Sequence, residues 1–228
     1  NAYAGDTTFA VGGGTLQLGA NNVLPDGTGK GNLVTTNGLL NMNGFSDSVN
    51  GLSGTGTVDN LAASTTSTLT VGGNNAASTF SGVIQNTGSS AVLALVKTGT
   101  GTLILNTANS FTGGTTLSNG IIQVDNAGAM GSGSVTFNST SVRLVVGTGL
   151  NFTNAIIIGA NNSAAGHGLI EAGTTAGTAT VSGPITINNI AAAGGHFAAP
   201  TAGTILNVTG VITSSVAVTT RLGTVVFS

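Results

Sequence analysis

Apolar and polar side chains alternate along this chain in short bursts, and Gly or Asn interrupts each burst before a helix could form. The clearest example is Leu95 to Val124. Here Thr102-Leu103-Ile104-Leu105, Thr115-Thr116-Leu117 and Ile121-Ile122-Gln123-Val124 are separated by corners at Thr98–Gly101, Asn106–Gly114 and Asn119-Gly120. Period-two alternation of Thr, Val, Ile and Leu suits a pleated, half-buried strand surface. The same rhythm predicts strands at Thr7–Val11, Thr15–Leu18, Leu39–Phe45, Ser48–Leu52, Thr68–Val71, Phe80–Ile84 and Val92–Val96. Beyond residue 124 it predicts strands at Ser141–Val146, Ala155–Gly159, Gly168–Glu171, Thr178–Val181, Ile185–Ile187, Thr204–Val208, Val211-Ile212, Val216–Thr219 and Thr224–Phe227. No segment shows helical periodicity with caps, so the chain is all-β.

Two all-β architectures accommodate this pattern. Asn-Gly pairs at Asn37, Asn43, Asn50 and Asn119 are hairpin signals and point to an antiparallel β-sandwich. Asn and Gly equally supply the left-handed corners between strands of one solenoid coil. The strands are short and unequal around each Asn-Gly, which favours a right-handed parallel β-helix. Coils of about twenty-odd residues rising ~4.8 Å each would make a rod on the order of 50 Å long. Gly14-Thr15-Leu16-Gln17-Leu18 is echoed 106 residues later by Gly120-Ile121-Ile122-Gln123-Val124. Such self-similarity marks stacked architectures, and it divides a single solenoid over 1–228 into cycles of approximately 12–119 and 120–228.

The residues of Leu95–Val124 resemble the autotransporter-associated (passenger-associated transport) β-strand repeat. Leu95, Lys97, Gly99, Gly101, Leu103 and Leu105 fit its first half. Asn109, Phe111, Thr112, Gly113, Gly114 and Thr115 fit its middle, and Gly120, Ile122 and Val124 its close. Phe111 stands where Tyr is commoner in the family. Leu40–Phe45 and Val49–Gly54 are similar to the spacer that precedes such repeats. The resemblance implies a parallel β-helix in the extracellular passenger of a large bacterial surface protein, and it implies no catalytic residue.

Composition agrees with that expectation. Charged residues make up 4% of the chain, Gly contributes 38 of 228 residues, and hydrophobic residues reach 40% at a mean hydropathy of +0.40. Disorder requires low hydrophobicity as well as low complexity, so this is a core-forming chain with a Thr, Ser and Asn surface. The basic residues are Lys30, Lys97, Arg143 and Arg221, too few for a nucleic-acid interface. Cys is absent, which removes disulfides and thiolate metal sites. No apolar run approaches the length of a membrane span, and no signal-peptide pattern is present. The chain starts and stops within strand patterns and reads as a piece of a longer protein.

Candidate chemistry is sparse. The carboxylates are Asp6, Asp26, Asp47, Asp59, Asp125 and Glu171, and none lies within five residues of another. Stacking could bring Asp47 to Asp26, but paired acids of the glycosidase kind are not visible in the sequence. His167 and His196, with Glu171 the only acid near either, make a thin metal site. The Gly-rich runs lack the Lys-Ser/Thr of a phosphate loop and read as corners, and no Ca²⁺-binding nonapeptide is present. Phe45, Phe80, Phe111, Phe137, Phe152 and Phe227 are expected in the core. With no Trp and only Tyr3, an aromatic sugar platform is unsupported.

The expected function is structural and non-enzymatic, without cofactor, metal or catalytic residue: an extracellular β-solenoid stalk or fibre shaft on a bacterial surface, stacked on adjacent repeats or copies of itself. An adhesin displaying Asn161–Gly168 and Ala191–Ala202 to a host or matrix glycan or protein is the alternative. A polysaccharide-degrading enzyme using Asp47 or Glu171 is a lesser one.

Overall fold

A computed structural model of the chain describes residues 1–9, 12–139, 141–159, 169–188 and 196–228. Every strand pairing among them is parallel. The antiparallel sandwich is thereby ruled out, and the protein is a β-solenoid. The Asn-Gly hairpin signals misled because their residues turn corners instead. Asn37 and Asn43 adopt φ of 58° and 50°, the left-handed conformation that Asn tolerates at modest cost.

Each coil visits up to three faces. One face is a ten-stranded sheet running from Thr7–Thr8 to Thr220–Arg221, and another is an eight-stranded sheet from Asp47–Val49 to Ile212–Ser214. The third face is split. Thr15–Gln17, Leu39–Asn41, Thr57–Asp59 and Val83–Gln85 form its first four-stranded sheet. Asn151–Phe152, Gly177–Val181, Thr204–Val208 and Thr224–Phe227 form its second. Between them, 106–114 and 125–134 carry no strand. Coil length varies with the corners: Thr102 pairs with Ile121, 19 residues on, and Ile170 with Phe197, 27 residues on. Ten rungs at ~4.8 Å spacing give a stack on the order of 45 Å.

Stacking aligns inward side chains into rows. Leu103, Ile122, Leu144, Ile170 and Phe197 share one register, and Phe80, Leu105, Val124, Val146 and Ala172 another. All are buried. Such rows fill the interior with like shapes above like, so each coil covers the apolar face of the one below.

Several expected strands are cut by a corner. Ser48–Leu52 divides into Asp47–Val49 and Leu52–Gly54 on different faces, because the Asn50 carboxamide turns inward and holds the corner. Phe80–Ile84 divides at Ser81-Gly82, where a Cβ on Gly82 would stand 1.9 Å from the Gly56 carbonyl oxygen. Leu39–Phe45 stops as a strand at Asn41. Val216–Thr219 forms no strand; Ser214 Oγ bonds the Val216 N–H and C=O, satisfying them locally. The ends of the 106-residue echo lie on different faces, Thr15–Gln17 on the third and Gly120–Val124 on the ten-stranded one.

Phe80, Phe111, Phe137 and Phe152 are fully buried, as are the unforeseen Phe197 and, nearly so, Phe9. Phe45 is partly buried against the core. Phe227 is not a core residue: it is 48% exposed and meets Phe197 edge-on at 5.5 Å.

Candidate functional site

Leu95–Val124 occupies the middle of the stack, where the third face loses its strands. Val92–Lys97 lies on the eight-stranded face, Thr102–Leu105 and Gly120–Val124 on the ten-stranded face, and Thr115–Leu117 again on the eight-stranded face. Scattered backbone bonds, such as Asn109 N–H to the Gly128 carbonyl and Ser110 N–H to the Ile84 carbonyl, persist there, and one side chain adds to them. Asn109 Oδ1 accepts the Ile84 N–H at 2.8 Å from the coil below, and Asn109 Nδ2 donates to the Ala129 carbonyl at 2.6 Å in the coil above. The carboxamide does what a strand's peptide group would do. Phe111, 0% exposed, fills the interior beside it, with Ala129 and Met130 buried one coil on.

Lys97 is the unexpected member. Its register row reads Val49, Val71, Lys97, Leu117, Phe137, Ile158 and Ile187, so a lysine points inward among aliphatic and aromatic neighbours. It is 1% exposed. Its stem packs in the row while Nζ donates to the Gly99 carbonyl at 2.9 Å and also to the Thr98 carbonyl. Burial lowers its pKa from 10.5 to about 8. The ammonium gathers a tight corner in which Gly72 (φ 125°) and Gly99 (φ 63°) face each other from adjacent coils. A Cβ on either would approach the other coil's backbone oxygen to 1.9 Å. The Lys-x-Gly spacing of the repeat is thus a packed, hydrogen-bonded corner.

The nominated acids are dispersed among similar structural duties. Asp47 accepts backbone N–H groups from Val23 (2.8 Å), Leu24 (3.2 Å) and Ser48 (2.9 Å). Its pKa is raised by burial, against those hydrogen bonds, with a smaller push from nearby Asp26. Asp59 accepts from Gln85 Nε2 (2.8 Å) and from the Thr87 N–H and hydroxyl. Gln17, Asn41, Asp59 and Gln85 share one register on the third face, a polar seam that sequence spacing did not show. Glu171 is paired with Arg143 at 3.1 Å. Asp6 receives the Asn32 N–H, and Lys30 donates to the Ala2 carbonyl.

His196 is buried, its Nδ1 accepting the Thr219 N–H at 3.3 Å beside the Thr219 hydroxyl at 3.0 Å. Burial lowers its pKa. His167 and the loop Asn161–Gly168 lie outside the described residues, as do 191–195 of the second expected loop. Within the remainder of that loop, Phe197–Ala198 is a buried strand of the ten-stranded sheet. Among the described residues no three His, Asp or Glu gather around a common point.

Residues 95–124 match the passenger-associated-transport-repeat family. The chain is also similar to the adhesin BmaC autotransporter of Brucella suis biovar 1 (strain 1330), 33% identical over 154 residues. That likeness covers 61% of this chain and 4% of the Brucella protein, so the chain spans a small part of that relative's length. No solved structure matches. Residues 95–124 thus carry a passenger-associated-transport repeat on an all-parallel β-solenoid, and the likeness to an autotransporter passenger marks an extracellular, cell-surface protein.

Proposed function

We propose that this chain is a non-enzymatic shaft: one continuous solenoid segment of a longer passenger that stacks end to end on neighbouring coils. The observation that carries this reading is the ten-stranded parallel ladder, whose outermost strands each have one paired edge. The last coil leaves Val211 75%, Leu222 72% and Phe227 48% exposed. A further coil on that edge would bury these side chains and satisfy the free N–H and C=O groups. The carboxylates support a structural role too, since Asp47, Asp59 and Glu171 are engaged with backbone, hydroxyl or guanidinium partners.

Electron microscopy of the purified chain across a concentration series tests the stacking. Rods that lengthen in steps of on the order of 45 Å are expected. Monodisperse single rods at high concentration would contradict end-to-end stacking. The likeness to an adhesin favours a second reading, in which the shaft also presents a binding surface.

A further inference from the structure

Where the ten-stranded face turns toward the third face, three successive coils enclose an outer cleft of about 360 Å³. Gln123 and Asp125 come from the first coil, Gly147, Thr148 and Leu150 from the second, and Gly173 and Thr175 from the third. Asp125 is exposed yet fixed, because Gln123 Nε2 donates to both of its carboxylate oxygens, at 2.9 and 3.1 Å. A carboxylate has roughly four lone-pair sites, so acceptor capacity remains for hydroxyl groups entering from solvent.

The glycines are the second observation. Neither Gly147 nor Gly173 has a positive φ, so backbone conformation alone does not require glycine at either. Their missing side chains let adjacent coils approach closely and leave no side chain on the cleft floor. A Cβ on Gly147 would stand 3.0 Å from the Val124 carbonyl oxygen and 3.2 Å from both Asp125 Oδ1 and Leu150 Cδ1, and one on Gly173 would stand 3.2 Å from Gly147 Cα and 3.3 Å from the Val146 carbonyl oxygen. Two consecutive coils therefore keep the cleft floor bare beneath a preset carboxylate.

We propose that this corner binds a neutral, polyhydroxylated ligand, a hexose unit of a glycan. Adjacent sugar hydroxyls donate to Asp125, the Thr148 and Thr175 hydroxyls bond the ring's other oxygens, and Leu150 covers its C–H face. Recognition here works by hydrogen bonds to a rigid acceptor, without the stacked aromatic ring that this chain lacks. The single fixed carboxylate also sets a preference, since it repels an acidic sugar of the same shape. The site is independent of the shaft reading, because stacking involves the coil edges and this cleft faces sideways.

The test is an amide-shift titration of the isotope-labelled chain with cellobiose, lactose, mannobiose and, as the anionic control, digalacturonate. Saturable shifts confined to 147–150 and 173–175 are expected with at least one neutral disaccharide and not with digalacturonate. Asp125→Ala and Gly147→Ala should each weaken binding about tenfold, the cost of one lost charged hydrogen bond or of a blocked floor, with circular dichroism unchanged. Absence of saturable shifts with all three neutral sugars overturns the proposal. So does equal binding of digalacturonate, or binding undiminished in either variant.

Discussion

Lys97→Met isolates the inward lysine, because methionine keeps an unbranched stem in the row between Val71 and Leu117 while removing the charge and the donors to Thr98 and Gly99. Burial lowers the Lys97 pKa from 10.5 to about 8. The difference corresponds to about 3 kcal/mol at 1.36 kcal/mol per pKa unit. Between those two values the unfolded chain still holds the proton and the folded chain has released it. Stability therefore rises with pH across this window and is independent of this group below it. In the variant that rise vanishes, so the stability of wild type relative to Lys97→Met increases by about 3 kcal/mol from pH 7 to pH 10.5. With two lysines, one tyrosine and no cysteine in the chain, few other groups titrate there. Urea unfolding followed by far-ultraviolet circular dichroism at half-unit pH steps measures the gap. Parallel stability profiles for the two proteins would refute the assignment of Lys97 as a buried, charge-strained corner.

Other consequences follow from neighbouring contacts. Asn109→Ala strands the Ile84 N–H and the Ala129 carbonyl and should cost about 2–4 kcal/mol in chemical denaturation, whereas Asn106→Ala, which loses an exposed bond to Ser81, should stay within about 0.5 kcal/mol. Thr115 Oγ1 is buried without a partner, so Thr115→Val should raise stability by about 1 kcal/mol, read as a higher denaturation midpoint. Gly72→Ala sets a Cβ 1.9 Å from the Thr98 oxygen at φ 125° and should cost more than about 2 kcal/mol. His196 has its pKa lowered from 6.5 by burial, so its contribution is complete above pH 6.5 and is lost as pH falls below it; His196→Asn should flatten that acid limb in thermal melts.

The alternating pattern made Leu103, Leu105, Ile122 and Val124 legible as core, since each inward side chain obeys the two-residue period within its own strand. Face changes were not legible. Asn50-Gly51 and Ser81-Gly82 turn corners inside runs that alternate smoothly, and only a backbone lying a coil away, as Gly56 lies against Gly82, reveals the turn. Partners separated by 18 to 29 residues leave no short-range signal of which face a three-residue strand joins. The same distance hid the polar seam of Gln17, Asn41, Asp59 and Gln85, whose members look like unrelated surface residues in sequence. Phe227 shows the converse limit: its alternation is correct for a strand, yet it is 48% exposed and meets Phe197 edge-on. Lys97 was visible as a motif residue, while its inward direction depended on the register with Val71 and Leu117.

The parallel stack is tested most directly by distances along one outward row. Ser48, Thr70, Val96, Thr116, Thr136, Ile157, Thr186 and Thr213 share a register on successive rungs of the eight-stranded face, and a chain without cysteine accepts spin labels at chosen pairs. Labels at Ser48 and Thr136 should lie ~19 Å apart, and labels at Ser48 and Thr213 ~34 Å apart, at ~4.8 Å per rung. Pulsed electron–electron resonance that finds separation growing in proportion to rung number supports the solenoid. Separations unrelated to rung number would contradict it.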